Sequence, residues 1–225
     1  MKISWKSEVT SWLLLLAMLA WAAYTWSSAP ERFPVHWSFG GGIDRWGGKF
    51  EGVLGLPLLA LGLYALFLAL PRLDPGRANY ANFGPAYTVI RTAVLVVLAG
   101  AYAAVQATGY GREMKMGVVL PLAGGALLVV LGNVMGKLRP NWFVGIRTPW
   151  TLSSAESWNR THRAGGWVLI GAGLLSMASV LVIPAWSVYV TIGTLSAALT
   201  GLVVYSYVVW KHDAEKIPPA GRLPA

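Results

Sequence analysis

The chain has 225 residues, 56% of them hydrophobic and only 12% charged, with a formal net charge of +9 and a mean hydropathy of +0.55. That composition excludes a disordered or collagen-like chain and describes an integral membrane protein. The lack of cysteine removes disulfide staples, thiol nucleophiles and thiolate metal sites, so conventional hydrolytic chemistry is short of parts.

A crossing helix rises about 1.5 Å per residue through roughly 30 Å of hydrocarbon, which calls for uncharged runs near 20 residues. Segments 10–28, 52–70 and 116–136 carry no charge, and 88–108 carries only Arg91 near its start. The first run follows Lys2 and Lys6 like a secretion signal, but its length and its Trp12, Trp21 and Trp26 predict a retained, interface-anchored helix. The last run, 165–210, is 46 residues long, twice what one span needs, and Pro184 near its middle predicts a helical hairpin turning at 183–187. The expected fold is an all-α membrane protein, a bundle of six transmembrane helices. Residues 1–110 form one half and 111–225 the other, with three helices each.

Lys and Arg in alternate connections number 13 on one side and 5 on the other. The positive-inside rule then places both termini in the cytoplasm. The richer side is counted from Lys2, Lys6, Arg72, Arg77, Arg91, Lys137, Arg139, Arg147, Arg160, Arg163, Lys211, Lys216 and Arg222.

Two connections are long enough to carry function. Residues 29–51, on the expected outer side, hold two short extended stretches around Gly40, Gly41 and Gly42, which predicts a small hairpin or cap. Its aromatics Phe33, Trp37, Phe39 and Trp46 form either an exposed platform for an extracellular partner or an interfacial anchor. His36 and Asp44 are expected to tie this loop together by a hydrogen bond; with Glu51 they match no standard metal-ligand spacing. Residues 137–166, on the expected cytoplasmic side, carry five basic residues against Glu156. Pro140 and Pro149 favour a folded excursion. Ser153 with Glu156 predicts a capping box opening a helix near Ser154, with Glu156 and Arg160 paired and Trp158 and His162 on one face. Trp142, Trp150 and Trp158 are expected at headgroup depth. The Arg cluster can clamp a phosphate or carboxylate, dock an acidic partner, or touch anionic lipid.

Gly132-Asn133, Met135-Gly136-Lys137, the run Arg139-Pro140-Asn141-Trp142-Phe143-Val144-Gly145-Ile146-Arg147-Thr148-Pro149-Trp150-Thr151, then Trp158, Thr161-His162 and Gly165-Gly166 closely resemble the signature of the SdpI family of bacterial membrane proteins. Pro34-Val35-His36-Trp37 and Gly42-Ile43-Asp44-Arg45-Trp46-Gly47 are similar to a domain of unknown function that often forms the N-terminal half of such proteins. The resemblance implies immunity to a secreted, membrane-active peptide toxin. It further implies a toxin sensor that holds an ArsR-type repressor at the membrane, with no direct contact to nucleic acid. On that reading the toxin or partner surface is Phe33, His36, Trp37, Asp44, Arg45 and Trp46. The cytoplasmic motif is Asn133, Lys137, Arg139, Asn141, Phe143, Arg147, Thr148, Pro149, Trp150, Trp158 and His162.

No HExxH, Walker A or GxSxG pattern occurs, so neither an enzyme nor a cofactor is expected. A transporter of small molecules, ions or lipids is the rival class, with Asn133 and Arg91 lining a polar path. Against it, no acidic residue is read inside a span. The competing expectation is that Arg91 snorkels to the headgroups, while Gly132 and Gly136 make a GxxxG packing face beside Asn133.

Overall fold

The computed structural model describes residues 5–217, with side chains from Ser7 onward; Lys2, Arg222 and the side chain of Lys6, all part of the charge count, lie outside that range. Among the described residues six helices are long and apolar enough to cross a membrane. They are α1 (Trp5–Thr25), α2 (Leu56–Leu73), α3 (Tyr80–Gly109), α4 (Met116–Met135), α6 (Ala155–Val182) and α7 (Ser187–His212), with a one-turn α5 (Pro149–Leu152) between α4 and α6. The helical hairpin expected at Pro184 is present: α6 ends at Val182, a 3-10 turn spans Pro184–Trp186, and α7 returns. Outward faces carry residues such as Leu13, Leu16, Leu174 and Leu181 in the open. This inverts the usual soluble arrangement and suits a lipid surround.

The extended stretches pair as expected. Strands β1 (Arg32–Trp37) and β2 (Ile43–Gly48) form an antiparallel hairpin, its turn helped by Gly41 at φ +84°. A π-helical turn, Glu51–Gly55, then leads into α2. The bundle end bearing the β-hairpin is called here the hairpin end. At the opposite, basic end the segments 74–79, 136–154 and 213–217 are joined by hydrogen bonds.

The core has three parts. Leu15, Met18, Ala22, Phe33, Val53, Ala60, Tyr64, Leu95, Tyr102 and Val105 bind α1, α2, α3 and the β-hairpin into one cluster. Tyr80, Phe83, Tyr87 and Ile90 of α3 meet Val134, Leu138 and Trp158, joining the two halves. Leu128 with Leu169 and Ala172 closes α4 on α6. Phe83 departs from helical geometry (φ −131°, ψ 20°) two residues before Pro85, whose ring and missing N–H kink α3 there.

Glycine governs the antiparallel crossing of α4 and α6. A Cβ added at Gly132 would lie 2.6 Å from the carbonyl oxygen of Gly166, and one at Gly125 would lie 2.7 Å from that of Gly173. Gly136 has ordinary room, 3.8 Å from Arg163 Cα. The working motif is therefore a seven-residue glycine repeat on each helix, where a GxxxG pair at Gly132 and Gly136 was expected. Ser176 of α6 donates to Pro121 O at 2.9 Å and Ser187 of α7 to Gly117 O at 2.7 Å, so hydroxyls fasten both helices to α4 where lipid offers no hydrophobic drive.

One expectation is overturned inside the N-terminal half. Glu8 lies within α1, 1% exposed, and forms an ion pair with Arg91 of α3, 0% exposed. Tyr64 donates to the other Glu8 oxygen at 3.0 Å and receives the Trp12 indole N–H at 2.7 Å. The rings of Tyr64 and Tyr87 flank the guanidinium at 5.9 and 5.6 Å. Arg91 therefore does not snorkel: a carboxylate reaches it, and the spans do contain acidic residues. Glu8 escapes a hydropathy reading because it stands at the charged edge of the first run.

Candidate functional site

The connection from α4 to α6 is built around Asn141. Pro140 denies the segment a helix, and the Asn141 side chain stands in for the missing backbone ladder. Its Oδ1 accepts from the N–H groups of Phe143 (3.0 Å) and Val144 (2.7 Å), while its amide donates to the carbonyls of Arg139 and Val144, both at 2.9 Å. All of the side chain's principal hydrogen-bonding capacity is used locally, in a residue 2% exposed.

Gly145 follows at φ +110°, and a Cβ there would sit 2.4 Å from His162 Nε2. Only glycine lets the chain cross the imidazole face so closely. Ile146 N–H donates to His162 Nε2 at 3.0 Å, and Nδ1 lies 2.8 Å from Trp158 O. Because a backbone N–H can only donate, Nε2 is the acceptor and the proton sits on Nδ1. Trp158 stacks on His162 at 4.0 Å and donates its indole N–H to Leu138 O at 3.0 Å. The shared face of Trp158 and His162 is as expected. Trp158 is 0% exposed and clamps the loop from within.

Thr148 caps α5 through a reciprocal box with Thr151, and its hydroxyl lies 3.1 Å from Ser206 Oγ of α7. Trp150 packs edge-on against Tyr207 at 5.2 Å. The helix start expected near Ser154 is found, with Ser154 itself as cap accepting from Ser157 N–H; the capping box falls at Thr148 and Thr151, where one at Ser153 and Glu156 was expected. Glu156 and Arg160 approach to 3.6 Å. The Ser154 hydroxyl also donates to Asp213 beyond α7, and that bond, with the Glu215 N–H, holds the Asp213 carboxyl below its usual value. The tie is kept at neutral pH and lost as pH falls through this lowered value.

A residue of the first half completes the loop. Asp74, 1% exposed between α2 and α3, accepts from Gly76 N–H (2.6 Å), Tyr80 hydroxyl (2.9 Å) and Trp142 N–H (3.0 Å). Asn79 donates to Pro140 O at 2.7 Å. Neither was signalled as functional by the sequence; the only cue was the turn chemistry of Pro75-Gly76.

Asn141, Thr148, Trp158 and His162 are thus brought together as a buried frame. Lys137, Arg139, Trp142, Phe143, Arg147 and Pro149 stand exposed around it, with Arg147 closing the rim by donating to Trp142 O at 2.9 Å. Asn133 is exposed on α4, in surroundings unlike those of the enclosed Arg91, so the two do not line one polar path. The arrangement offers a stiff cationic and aromatic surface, able to hold an anionic or acidic partner without reorganising.

At the hairpin end, His36 Nδ1 and Asp44 Oδ1 lie 2.6 Å apart and Arg45 pairs with Glu51 at 2.8 Å, so the loop is tied together as the sequence led one to expect. Phe33 differs from the expectation of an exposed aromatic. It is 0% exposed, wedged where a Cβ at Gly52 or Gly109 would come within 2.2 Å of its ring. Trp37 is half-buried, whereas Phe39 (61%) and Trp46 (48%) are open. Phe39 also reaches Tyr189 of α7 at 6.0 Å. Among the described residues no cluster of three or more His, Asp or Glu is placed to hold a metal.

These features define a mostly helical membrane protein with a β-hairpin at one end and a rigid basic loop at the other. Residues 137–209 match the model of the SdpI/YfhL protein family, and residues 13–61 match the domain of unknown function DUF1648. The chain thus carries an SdpI/YfhL family segment in its C-terminal half and a DUF1648 segment in its N-terminal half. It is 22% identical over 176 residues to the immunity protein SdpI of Bacillus subtilis (strain 168), an alignment covering 76% of this chain and 79% of that protein. No solved structure gives a significant match.

Proposed function

We propose that this protein confers immunity to a secreted, membrane-active peptide toxin and couples toxin capture to a regulator on the opposite face. The observation that carries this reading is the relative named an immunity protein, aligned across most of both chains. Both termini and the basic loop lie in the cytoplasm, consistent with the excess of Lys and Arg at the basic end. The toxin meets the open hairpin side chains Phe39, Ile43 and Trp46, with His36, Asp44 and Arg45 beside them. Phe33 and Trp37 support that surface from beneath.

At the cytoplasmic face Lys137, Arg139, Phe143 and Arg147 meet anionic lipid and the acidic surface of an ArsR-type repressor. Asn141, Thr148, Trp158 and His162 keep that surface in shape. Signalling requires the toxin to favour one arrangement of the bundle over another, since equal affinity for both shifts nothing.

The test is survival of a sensitive bacterium exposed to the family's peptide toxin, with and without this protein at verified membrane levels. Protection is the expected result. Death at full membrane expression would refute immunity to that toxin.

A further inference from the structure

A groove of about 640 Å³ runs between α1 and α3 on the outside of the bundle, beginning under the β-hairpin. Its deep part is apolar, lined by Leu14, Met18, Ala99 and Ala103; its mouth is polar, with Gln106, Tyr110 and Arg112. Of the buried polar atoms left without a hydrogen-bond partner among the described residues, two belong to groove residues: the Tyr102 hydroxyl and Gln106 Oε1. Their residues are 3% and 4% exposed, and both line the groove. Gln106 is oriented by its amide, which donates to Gly52 O at 2.8 Å, so its free oxygen is an acceptor held in place. Tyr102 stands one helical turn before Gln106 on α3, and its hydroxyl can donate. A buried polar atom left unpaired costs free energy, and in a membrane water is scarce to offset it. Arg112 makes no ion pair among the described residues.

From these observations we infer that the groove is a binding site for one anionic membrane lipid of the hairpin-end leaflet. An acyl chain lies along Ala99 and Ala103, the glycerol and ester region meets Gln106 Oε1 and the Tyr102 hydroxyl, and the anionic headgroup meets Arg112. Length decides between a lipid and a peptide helix. From residue 99 to 110 of α3, or 14 to 25 of α1, the groove runs about 17 Å at 1.5 Å per residue, roughly half the 30 Å of hydrocarbon that a spanning helix must cross. One leaflet's chain fits that length. The gradient from an apolar floor to a cationic mouth is likewise that of a single amphiphile.

The experiment is native mass spectrometry of the delipidated full chain in detergent, titrated with palmitoyl-oleoyl phosphatidylglycerol or phosphatidylcholine. The wild type is expected to take up one phosphatidylglycerol in preference to phosphatidylcholine. Ala103→Leu, which fills the floor, should weaken both lipids. Arg112→Gln, an exposed change that leaves the fold intact, should weaken phosphatidylglycerol alone by about fivefold, the factor expected for one basic residue. Equal binding of the two lipids by wild type, or unchanged phosphatidylglycerol binding in both variants, overturns the assignment. So does an Ala103→Leu protein that keeps its lipid at wild-type affinity, because the lipid would then sit elsewhere. No toxin enters the titration, so failure of the immunity reading leaves the lipid result standing.

Discussion

Asn141 shows how a single side chain replaces secondary structure where proline forbids it. Asn141→Ala removes four hydrogen bonds and strands the N–H groups of Phe143 and Val144, at an expected cost of about 2–3 kcal/mol. Thermal unfolding of the variant in micelles checks this, and a melting temperature equal to wild type would mean that the loop is not ordered by Asn141. Glu8 and Arg91 raise a different question, because a buried ion pair lends little net stability but is costly to break. Glu8→Ala or Arg91→Ala alone should cost about 3–5 kcal/mol, with the double Glu8→Gln, Arg91→Met less damaging than either. A double variant worse than both singles in the same melts would show that the charges are not the reason. At this scale the sequence was least readable. Glu8 and Arg91 are 83 residues apart, and a pairing of that range leaves no local pattern.

The helices and the β-hairpin were legible, because apolar run length and turn residues are local signals. What the sequence left open was which faces meet. Both Gly132 and Gly136 fit a GxxxG reading, yet only Gly132 touches the partner backbone, since contact depends on how α6 is rotated against α4. Gly132→Ala and Gly166→Ala should each destabilise by about 1–3 kcal/mol, the usual cost of overpacking. Gly124→Ala and Gly171→Ala meet nothing within 4 Å and should be neutral or slightly stabilising, as alanine favours helix. Equal melting temperatures for all four variants would remove the glycine repeat from the account of this crossing. Phe33 teaches the same lesson at the hairpin: aromatic composition announced a surface feature, and the strand's inward register made it core.

For the whole molecule, the charge count gives an orientation that can be tested directly. The chain lacks cysteine, so a single cysteine placed at Ser38 or at Arg139 can be labelled without background. In intact cells an impermeant maleimide should label the Ser38→Cys protein and leave Arg139→Cys untouched until the membrane is opened. The reverse pattern would invert the proposed roles of the two ends. The exposed cations of the motif were visible in the sequence, as was the hairpin's His36–Asp44 tie. Of the buried frame beneath the basic loop, Asn141, Thr148, Trp158 and His162 were named from the sequence, whereas Asp74 and Asn79, which complete it from the far side of the α2–α3 turn, were not.

Asp74 also bears on how such proteins can be recombined. The matched family segment begins at residue 137, yet the Trp142 N–H within it is satisfied by a carboxylate 68 positions upstream. A chimera joining this segment to an unrelated N-terminal half would inherit the sequence signature but lose the anchor. Exchange between relatives should therefore succeed when the donor of the first half brings an acid and a turn equivalent to Asp74-Pro75-Gly76, and yield a slack loop when it does not.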